Sequence, residues 1–428
     1  MHRKILDRIY ALNPSAIKLG LENISQLLAG LGNPHTKFPA IHIAGTNGKG
    51  STAFFLNSIF KAAGYKTGMY LSPHLMDIRE RITICSTKIP EKNFEELANN
   101  LFCLMEKKKL PATFFEFITA MAFLYFRQEK IDIGIIEVGM GGRLDATNVL
   151  VPLVSIITEI ALEHTLALGT SIRKIAGEKG GIIKQGGAVF ISSENKETVA
   201  VLKNISKRQK AICFQYGKNY LVESSVNQGL PQNFSLIFQG EKIDKLSIEI
   251  PGGYQIKNSS TAASAALFLS EKYKAINKNS VSKGLRSAKI PARMELAQKS
   301  PQVVIDAAHN HQSITALIEN IPVFFRYNKL IALLGILKDK DFKKIIQALS
   351  SRVDIFIMTE PKTERALPAR LLEQSAGAFR KTTFIEKEVS KALERAKEIA
   401  EPEDLILVTG SYYTAGEALS WMKKPGII

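Results

Sequence analysis

The chain has 428 residues, of which 45% are hydrophobic and 23% are charged, as in ordinary globular proteins. At about 100–200 residues per domain, this length predicts two domains. No stretch approaches the ~18 continuous apolar residues of a membrane-spanning helix, which excludes a membrane-embedded protein at the level of the sequence.

The net charge of +17 leaves three explanations open: nucleic acid binding, an acidic substrate, or a lysine-rich proteome. The lysines are scattered apart from the run 107–109, and no basic stripe is interleaved with aromatic residues. Nucleic acid is therefore the least favoured partner.

The first residues, MHRKILDRIYALN, carry charges throughout and lack the apolar core of a secretory signal peptide. Cys85, Cys103 and Cys213 are far apart and form no CxxC pair, which is typical of reduced thiols. Both features predict a cytoplasmic protein.

In the first half, short apolar strands alternate with helical patterns, which predicts a parallel sheet covered by helices. Strands are predicted at 40–44, 67–71, 132–138 and 153–158. Helices are predicted at 51–63, 91–107, 113–128 and 171–178. From 218 to 250 the pattern changes to one typical of antiparallel strands added beside the main sheet, and a helix follows at 257–273.

The alternation restarts after a boundary predicted near Pro291 to Pro301. Strands are predicted at 303–306, 330–334, 354–358 and 405–409, with helices after His311, at 341–350 and at 387–400. We therefore divide the chain into domains 1–296 and 297–428. Ligands of such sheets bind at the carboxyl ends of the strands, which predicts a cleft between the domains.

The strongest local motif is GTNGKGST, which follows one predicted strand and precedes a helix. Its residues are Gly45, Thr46, Asn47, Gly48, Lys49, Gly50, Ser51 and Thr52. Glycines let backbone amides surround phosphate oxygens, Lys49 supplies positive charge, and Ser51 offers a hydroxyl to Mg²⁺. The match to GxxxxGK[ST] is not strict, because Gly50 separates Lys49 from Ser51 and Ile43 occupies the first glycine position. A glycine-rich turn is the alternative, and the strand–loop–helix context argues against it.

The second motif, EVGMGGRLDATN at 137–148, begins at the end of an apolar strand. Glu137 there suits a Mg²⁺ ligand. A solvated glutamate at a strand end is the alternative, and Arg143 and Asp145 could form a structural loop pair.

Four further segments are weak when taken singly. EHT at 163–165 places His164 as a metal ligand, a base or a loop residue. EKGGIIK at 178–184 reads as a charged helix end. DAAHN at 306–310 closes a strand, with Arg293 upstream, and TGS lies at 409–411.

Together and in this order, these segments resemble the folylpolyglutamate synthase/dihydrofolate synthase family of the Mur ligase superfamily. LGLENI at 19–24, SPHL at 72–75, RERI at 79–82 and TFFEF at 113–117 extend the resemblance over nearly the whole chain. GTNGKGST, SPHL and GGRLDATN form its most specific combination.

The resemblance implies an α/β fold with two domains. The N-terminal, ATP-binding domain is expected to be a P-loop Mur-ligase-type ATPase domain with a parallel sheet, a small antiparallel sheet and an Ω-type loop after the second strand. The C-terminal, glutamate-ligase domain is expected to be Rossmann-like.

The resemblance also implies roles by position. Lys49, Lys179 and His309 are implied to be catalytic, with Lys179 at the position that the family carries as a CO₂-derived carbamate. ATP is implied to contact residues 45–52, Asn258, Arg293 and Asp306. Mg²⁺, expected as two ions, is implied at Ser51, Glu137 and His164. The pteroate or folate is implied at Leu19, Gly20, Leu21, Thr113, Phe114, Phe115, Glu116, Leu144, Asp145 and Ala146. Glutamate is implied at His309 and Ser411.

Three segments depart from the usual family pattern. The chain has EKGGIIK where EKAGIIK is usual, EHT where DHT is common, and DAAHN where DGAHN is usual. Ala307 in the last segment adds a methyl group beside the strand that positions Asp306 and His309.

The implied reaction is ATP-dependent joining of L-glutamate to dihydropteroate, to folates or to both, through an acyl phosphate. We expect a monomer that acts on both acceptors and binds neither nucleic acid nor membrane. Three alternative functions can be distinguished by experiment. A Mur-type ligase would take a cell-wall precursor, a nucleic-acid-binding protein would show steep salt dependence, and a P-loop kinase would need no glutamate.

Overall fold

An eight-stranded sheet forms the centre of the N-terminal half in this computed structural model, which describes residues 3–12, 20–224 and 229–423. Its strands are β1 (Ala40–Ala44), β2 (Thr67–Tyr70), β3 (Ile82–Ile84), β4 (Thr87–Lys88), β5 (Ile133–Glu137), β6 (Val154–Ile157), β7 (Ala188–Ile191) and β8 (Ile212–Gln215). Their order is β4-β3-β2-β5-β1-β6-β7-β8, and β3 pairs antiparallel with both β2 and β4, whereas the other neighbouring strands pair parallel. All five residues of the central strand β1 are buried, as a strand covered on both faces requires.

Helices cover both faces of this sheet. They are α1 (Arg3–Tyr10), α2 (Glu22–Gly30), α3 (Lys49–Ala62), α4 (Glu91–Lys108), α5 (Phe114–Gln128), α6 (Thr165–Leu168), α7 (Ile172–Gly180) and α8 (Lys196–Arg208). Short 3₁₀ turns lie at Pro34–Thr36, Ile78–Arg81 and Ala146–Val149. One apolar core lies under α3, and a second lies under α2, α4 and α5.

Local chemistry sets the start of two helices that border the site. The left-handed conformation of Gly48, with φ 93°, lets α3 begin at Lys49, two residues before the predicted start. A reciprocal capping box between Thr113 and Glu116 starts α5.

The antiparallel addition predicted between 218 and 250 is present as a three-stranded sheet. It comprises β9 (Tyr220–Ser224), β10 (Gln232–Phe238) and β11 (Glu241–Ile248), in the order β11-β10-β9. Alternate residues of β10 are buried, because one face of this sheet packs on the core around α9 (Gly253–Phe268). A 3₁₀ turn at Leu269–Glu271 and helix α10 (Lys278–Ser287) follow.

The C-terminal half contains a six-stranded sheet in the order β12-β13-β17-β14-β15-β16. Its elements are β12 (Glu295–Lys299), β13 (Gln302–Ile305), α11 (His311–Phe324), β14 (Leu330–Leu334), α12 (Phe342–Ser350), β15 (Ile355–Met358), α13 (Ala369–Gly377), β16 (Thr382–Ile385), α14 (Val389–Ile399), β17 (Leu405–Thr409) and α15 (Tyr412–Met422). The four strands from β13 to β15 in this order are parallel, as is β16, and β12 is antiparallel.

The predicted fold class is confirmed: a parallel α/β sheet, a small antiparallel sheet and a second α/β unit are all present. The pattern reading missed short elements, among them β7, β8 and β16. The predicted helix 257–273 instead begins at Gly253 and ends at Phe268. The division between residues 296 and 297 stays a prediction.

The packing of α10 on α3 depends on Gly284. A Cβ atom at this position would overlap the backbone of Ile59. Gly284→Ala should therefore lower the free energy of unfolding by about 1–3 kcal/mol, measured by thermal or urea denaturation. The control is Gly177→Ala in α7, where a Cβ atom meets nothing within 4 Å. Helix propensity should make this control neutral or stabilising by up to about 1 kcal/mol. Equal effects of the two substitutions would contradict the packing argument.

Candidate active site

The phosphate loop joins the end of β1 to the start of α3. Gly45 and Gly48 adopt positive φ angles of 153° and 93°. A Cβ atom at Gly45 would overlap the side chain of Thr158, so β6 fixes the loop from one side. The amides of Thr46 and Asn47 donate to the carbonyl of Glu159, at 2.7 and 3.2 Å. The amides at the start of α3 remain oriented for an anion, as at other helix N-termini.

Lys49 and Glu137 face each other across this loop. The Lys49 Nζ atom lies 3.9 Å from Glu137 Oε1 and donates to the carbonyl of Thr46 at 3.2 Å. Burial raises the pKa of Glu137, and the charge of Lys49 opposes that rise. The other carboxylate oxygen accepts from the backbone amide of Ser72 at 3.0 Å. The sequence analysis includes Ser72 only as part of SPHL, although its place directly after the predicted strand 67–71 is a usable signal.

Lys179 lies at the end of α7 and is only 5% exposed. Its Nζ atom donates to the carbonyl of Gly45 at 2.7 Å. Burial, with the nearby charge of Lys49, lowers the pKa of Lys179 to about 7. The structure therefore excludes the interpretation of Lys179 as a solvated helix-end residue.

His164 has a left-handed backbone, with φ 51°. Partial removal of the ring from water lowers the pKa of His164 to about 4, although the residue as a whole is exposed. The cations Lys340, Lys49 and Lys179 act in the same direction, and Glu163 opposes the change. The imidazole is therefore neutral near pH 7, which is the form that binds metal. The described residues contain no cluster of three or more His, Cys, Asp or Glu side chains suited to hold a metal by themselves.

The C-terminal half contributes a second set of polar groups. Asp306 accepts from the amides of Met294 and Ala308 at 2.9 and 2.8 Å, so it fixes two loops. Arg293 is half-buried, and its Nη2 atom donates to the Tyr412 hydroxyl at 2.7 Å. The methyl group of Ala307 is fully buried in the apolar core of this half.

His309 and Lys340 reach the N-terminal half through one carboxylate. Glu163 Oε1 lies 2.9 Å from Lys340 Nζ and 3.3 Å from His309 Nε2. Burial raises the pKa of Glu163, but the His309 hydrogen bond and the Lys340 charge outweigh it and hold that pKa well below its usual range. The sequence reading had not singled out Lys340, which lies 177 residues from Glu163.

Part of these groups lines one cleft of about 220 Å³ between the two halves, and Lys179, His164, Glu163 and Lys340 are not among its described lining residues. The predicted residues that line it are Thr46, Asn47, Gly48, Lys49, Gly50, Ser51, Glu137, Asn258, Arg293, Asp306 and His309. Lining residues that sequence reasoning missed include Glu159, Tyr254, Lys257 and Gln312, whereas Tyr412, which also lines the cleft, was noted only as a weak feature beside TGS. Asn310 and Gln312 also hydrogen-bond to Asn47 across the cleft, at 3.0 and 2.8 Å.

Several residues predicted on the pteroate side carry local structure. Glu116 accepts from the amide of Thr113 at 2.8 Å in the α5 capping box. Asp145 accepts from the amides of Met140 and Thr147, at 2.8 and 3.0 Å. The glutamate-side prediction Ser411 likewise caps α15. Their predicted binding roles stay predictions.

The remaining pteroate-side predictions lie at the start of α5, before α2 and after β5. Phe115 packs so closely on Gly139 that a Cβ atom there would overlap its ring, and its centroid is 6.1 Å from that of Tyr70. Phe114 stacks on Tyr10 at 5.7 Å. Gly20 and Leu21 precede α2, and Leu144 and Ala146 lie in the loop after β5. Leu19 lies outside the described residues.

Comparison with known proteins decides the family. The Mur ligase middle domain matches residues 43–266, and the Mur ligase glutamate ligase domain matches residues 292–412. A dihydrofolate synthase/folylpolyglutamate synthase of Bacillus subtilis is 33% identical over 406 residues, which cover 93% of each chain. This chain belongs to the dihydrofolate synthase/folylpolyglutamate synthase family of Mur ligases.

Solved structures of this family share the whole fold. Mycobacterium tuberculosis folylpolyglutamate synthase complexed with ADP aligns with a TM-score of 0.89 at 29% identity, covering 98% of each chain. A bifunctional folylpolyglutamate synthase/dihydrofolate synthase with Mn, AMPPNP and L-glutamate bound aligns with a TM-score of 0.85 at 26% identity, covering 97% of each chain. The family membership that the motifs predicted is thus confirmed.

Lys49→Ala should lower kcat/KM by at least about 100-fold, because it removes a cation from a water-poor phosphate site. Steady-state ATP turnover with acceptor and glutamate measures this effect. The fold should remain intact, because the Lys49 ammonium contacts charge rather than the apolar core. Lys61→Ala, on the exposed end of the same helix, is the control. Turnover of Lys49→Ala within a few-fold of wild type would rule out the proposed role.

Proposed function

We propose that this protein is an ATP-dependent ligase that joins L-glutamate to dihydropteroate and to tetrahydrofolate or its polyglutamates. The observation that carries the proposal is the cleft in which Lys49 and Glu137 of one half face Arg293 and His309 of the other. The family to which the chain belongs supports the choice of substrates.

The reaction needs a carboxylate converted into an electrophile. An acceptor carboxylate oxygen attacks the γ-phosphorus of ATP, which forms an acyl phosphate and releases ADP. The neutral amine of glutamate attacks the acyl carbon, the tetrahedral intermediate expels phosphate, and the nitrogen loses a proton to form the amide. The protein holds the reactants in line and neutralises charge with Lys49, Arg293 and the loop amides.

The donor atoms at the loop fit Mg²⁺, a hard cation that prefers oxygen ligands. Ser51 and Glu137 both line the cleft next to the phosphate loop. Two protein oxygens suffice because Mg²⁺ in nucleotide sites takes its other ligands from phosphates and water. Ser51 and Glu137 would hold one ion, and His164 would contribute to a second. When bound, Mg²⁺ neutralises charge on the transferred phosphoryl group.

Lys179 is proposed to carry a carbamate. Only a neutral amine adds CO₂, and the lowered pKa of about 7 makes that form available near neutral pH. Addition forms the N–C bond and releases one proton, so a buried cation becomes a buried anion. The positive charge of the nearby Lys49 would stabilise that anion.

Glutamate is proposed to bind beside His309, near the boundary between the halves. The His309 Nδ1 atom lies 3.0 Å from the carbonyl of Ala307, and Nε2 faces Glu163. Ser411 lies at the start of α15 on the same side. The pteroate ring is proposed to lie along Phe115, whose aromatic face suits a flat heterocycle.

The charge of +17 is proposed to serve these anionic substrates rather than nucleic acid. No helix of the described residues is long and apolar enough to cross a membrane. A cytoplasmic monomer without a nucleic acid or membrane partner is part of this proposal.

Substrate scope is tested with pure protein, ATP, Mg²⁺ and each acceptor, with and without L-glutamate. Dihydropteroate and tetrahydrofolate should both gain glutamate, measured by product mass, and ADP release should depend on glutamate. Product from one acceptor alone would restrict the proposal to a single activity. Product from neither, with a cell-wall precursor accepted instead, would replace it.

Lys179→Ala should lose most of the activity, and acetate or formate should restore part of it by filling the vacated anion site. Lys174→Ala, an exposed lysine of the same helix, is the control and should retain wild-type rates. In the wild type, CO₂-free buffer should lower activity and bicarbonate should restore it. The recovery should weaken below about pH 7, where Lys179 gains a proton. Wild-type rates in Lys179→Ala would end the carbamate proposal.

A further inference from the structure

A buried cation without an acidic partner lies beside the proposed reaction centre. Arg81 ends the 3₁₀ turn Ile78–Arg81 and is 8% exposed. Its carbonyl accepts from the amide of Leu71 at 3.0 Å. The next residue along, Ser72, donates to Glu137 at 3.0 Å. This chain of contacts ties Arg81 to the edge of the metal and phosphate site.

The two acidic residues of the same loop, Asp77 and Glu80, already have other partners. Asp77 pairs with Arg79 at 2.7 Å and with Lys88 at 3.3 Å. Glu80 accepts from three backbone amides of the loop, at 2.8 to 3.3 Å. Among the described residues, no carboxylate lies within 4.0 Å of Arg81, and the segments beyond them contain no Asp or Glu. A buried charge without a partner is costly, which points to an anion supplied from outside.

The described surroundings of Arg81 leave the two terminal nitrogen atoms of its guanidinium available to a ligand. The Nε atom donates to His74 Nδ1 at 2.9 Å, and among the described residues neither Nη atom has a hydrogen-bond acceptor. The guanidinium lies 5.2 Å from the ring centroid of Phe114, on which Tyr10 stacks. Two parallel N–H groups of an arginine match a carboxylate, and the aromatic rings exclude water around it.

The two acceptors differ in how many carboxylates they bring. Dihydropteroate has one, which reacts and must lie at the phosphate. A folate ends in glutamate, so it has the reacting carboxylate and a second one, the α-carboxylate, that is not consumed. Lys49 and the proposed Mg²⁺ serve the reacting group, which leaves the second group in need of its own cation.

We propose that Arg81 binds the α-carboxylate of the glutamate already present on a folate acceptor, and so serves chain extension and not the first glutamate addition. This inference rests on the proposed function. It makes Arg81 a determinant of specificity between the two acceptors.

The test compares Arg81→Gln and Arg81→Lys with the wild type, using tetrahydrofolate and dihydropteroate as separate acceptors. Arg81→Gln should raise KM for tetrahydrofolate at least ten-fold, and Arg81→Lys less, because it keeps charge but loses the fork. The KM values for dihydropteroate, ATP and glutamate should stay within two-fold. Arg79→Gln is the matched control, since that arginine belongs to the same turn but is paired with Asp77. It should leave both acceptor KM values unchanged.

Two outcomes for Arg81→Gln would overturn the inference. Equal losses with both acceptors would mean a general structural role, and no loss with tetrahydrofolate would mean that Arg81 does not bind it. If Arg81→Gln does not fold, Arg81→Lys decides, with dihydropteroate turnover reporting an intact site. If the wild type uses only tetrahydrofolate, the KM values for ATP and glutamate replace that for dihydropteroate as the reference. Arg81→Gln should then raise KM for tetrahydrofolate alone, and an equal rise in all three KM values would overturn the inference. A wild type that uses only dihydropteroate refutes this inference, whereas one that uses neither refutes the proposed function.

Discussion

The site depends on the tight anchoring of the phosphate loop at the carboxyl end of β1. Gly45 has no room for a side chain beside Thr158, and its carbonyl accepts from the buried Lys179 at 2.7 Å. The same loop is tied to the carbonyl of Glu159 through two amides. Strand β6 and helix α7 therefore fix the loop from two sides before any nucleotide binds. A loop held in this way presents its amides without a large ordering cost at the moment of reaction.

Charge balance is the second constraint on this site. Lys179 is buried, Lys49 and Arg293 are half-buried, and burial raises the pKa of Glu137. ATP, the acceptor and glutamate bring negative charge into the same cleft. Lys49, Lys179 and Arg293 can balance that charge, which explains why cations lie at a site partly removed from water. The ion pairs from Glu163 to His309 and Lys340 connect the two halves where those anions must meet.

The sequence was most informative where a motif is contiguous. The loop at 45–52 and the α/β alternation around it could be located, because strand, glycines and helix start follow one another in the chain. Partners far apart could not be paired: Arg293 meets Tyr412 across 119 positions, and Lys340 carries no local signal that points to Glu163. The motifs also did not indicate which residues form local hydrogen bonds. Thr113, Glu116 and Ser411 cap helices, a role that the family pattern did not reveal.

The central claim is that an acyl phosphate links ATP hydrolysis to amide formation. Transfer of oxygen isotope tests it most directly: the acceptor carboxylate is labelled with ¹⁸O, and the phosphate released with ADP is analysed by mass. The account predicts one ¹⁸O atom in each phosphate and one retained in the new amide. Unlabelled phosphate in the presence of full amide product would contradict it.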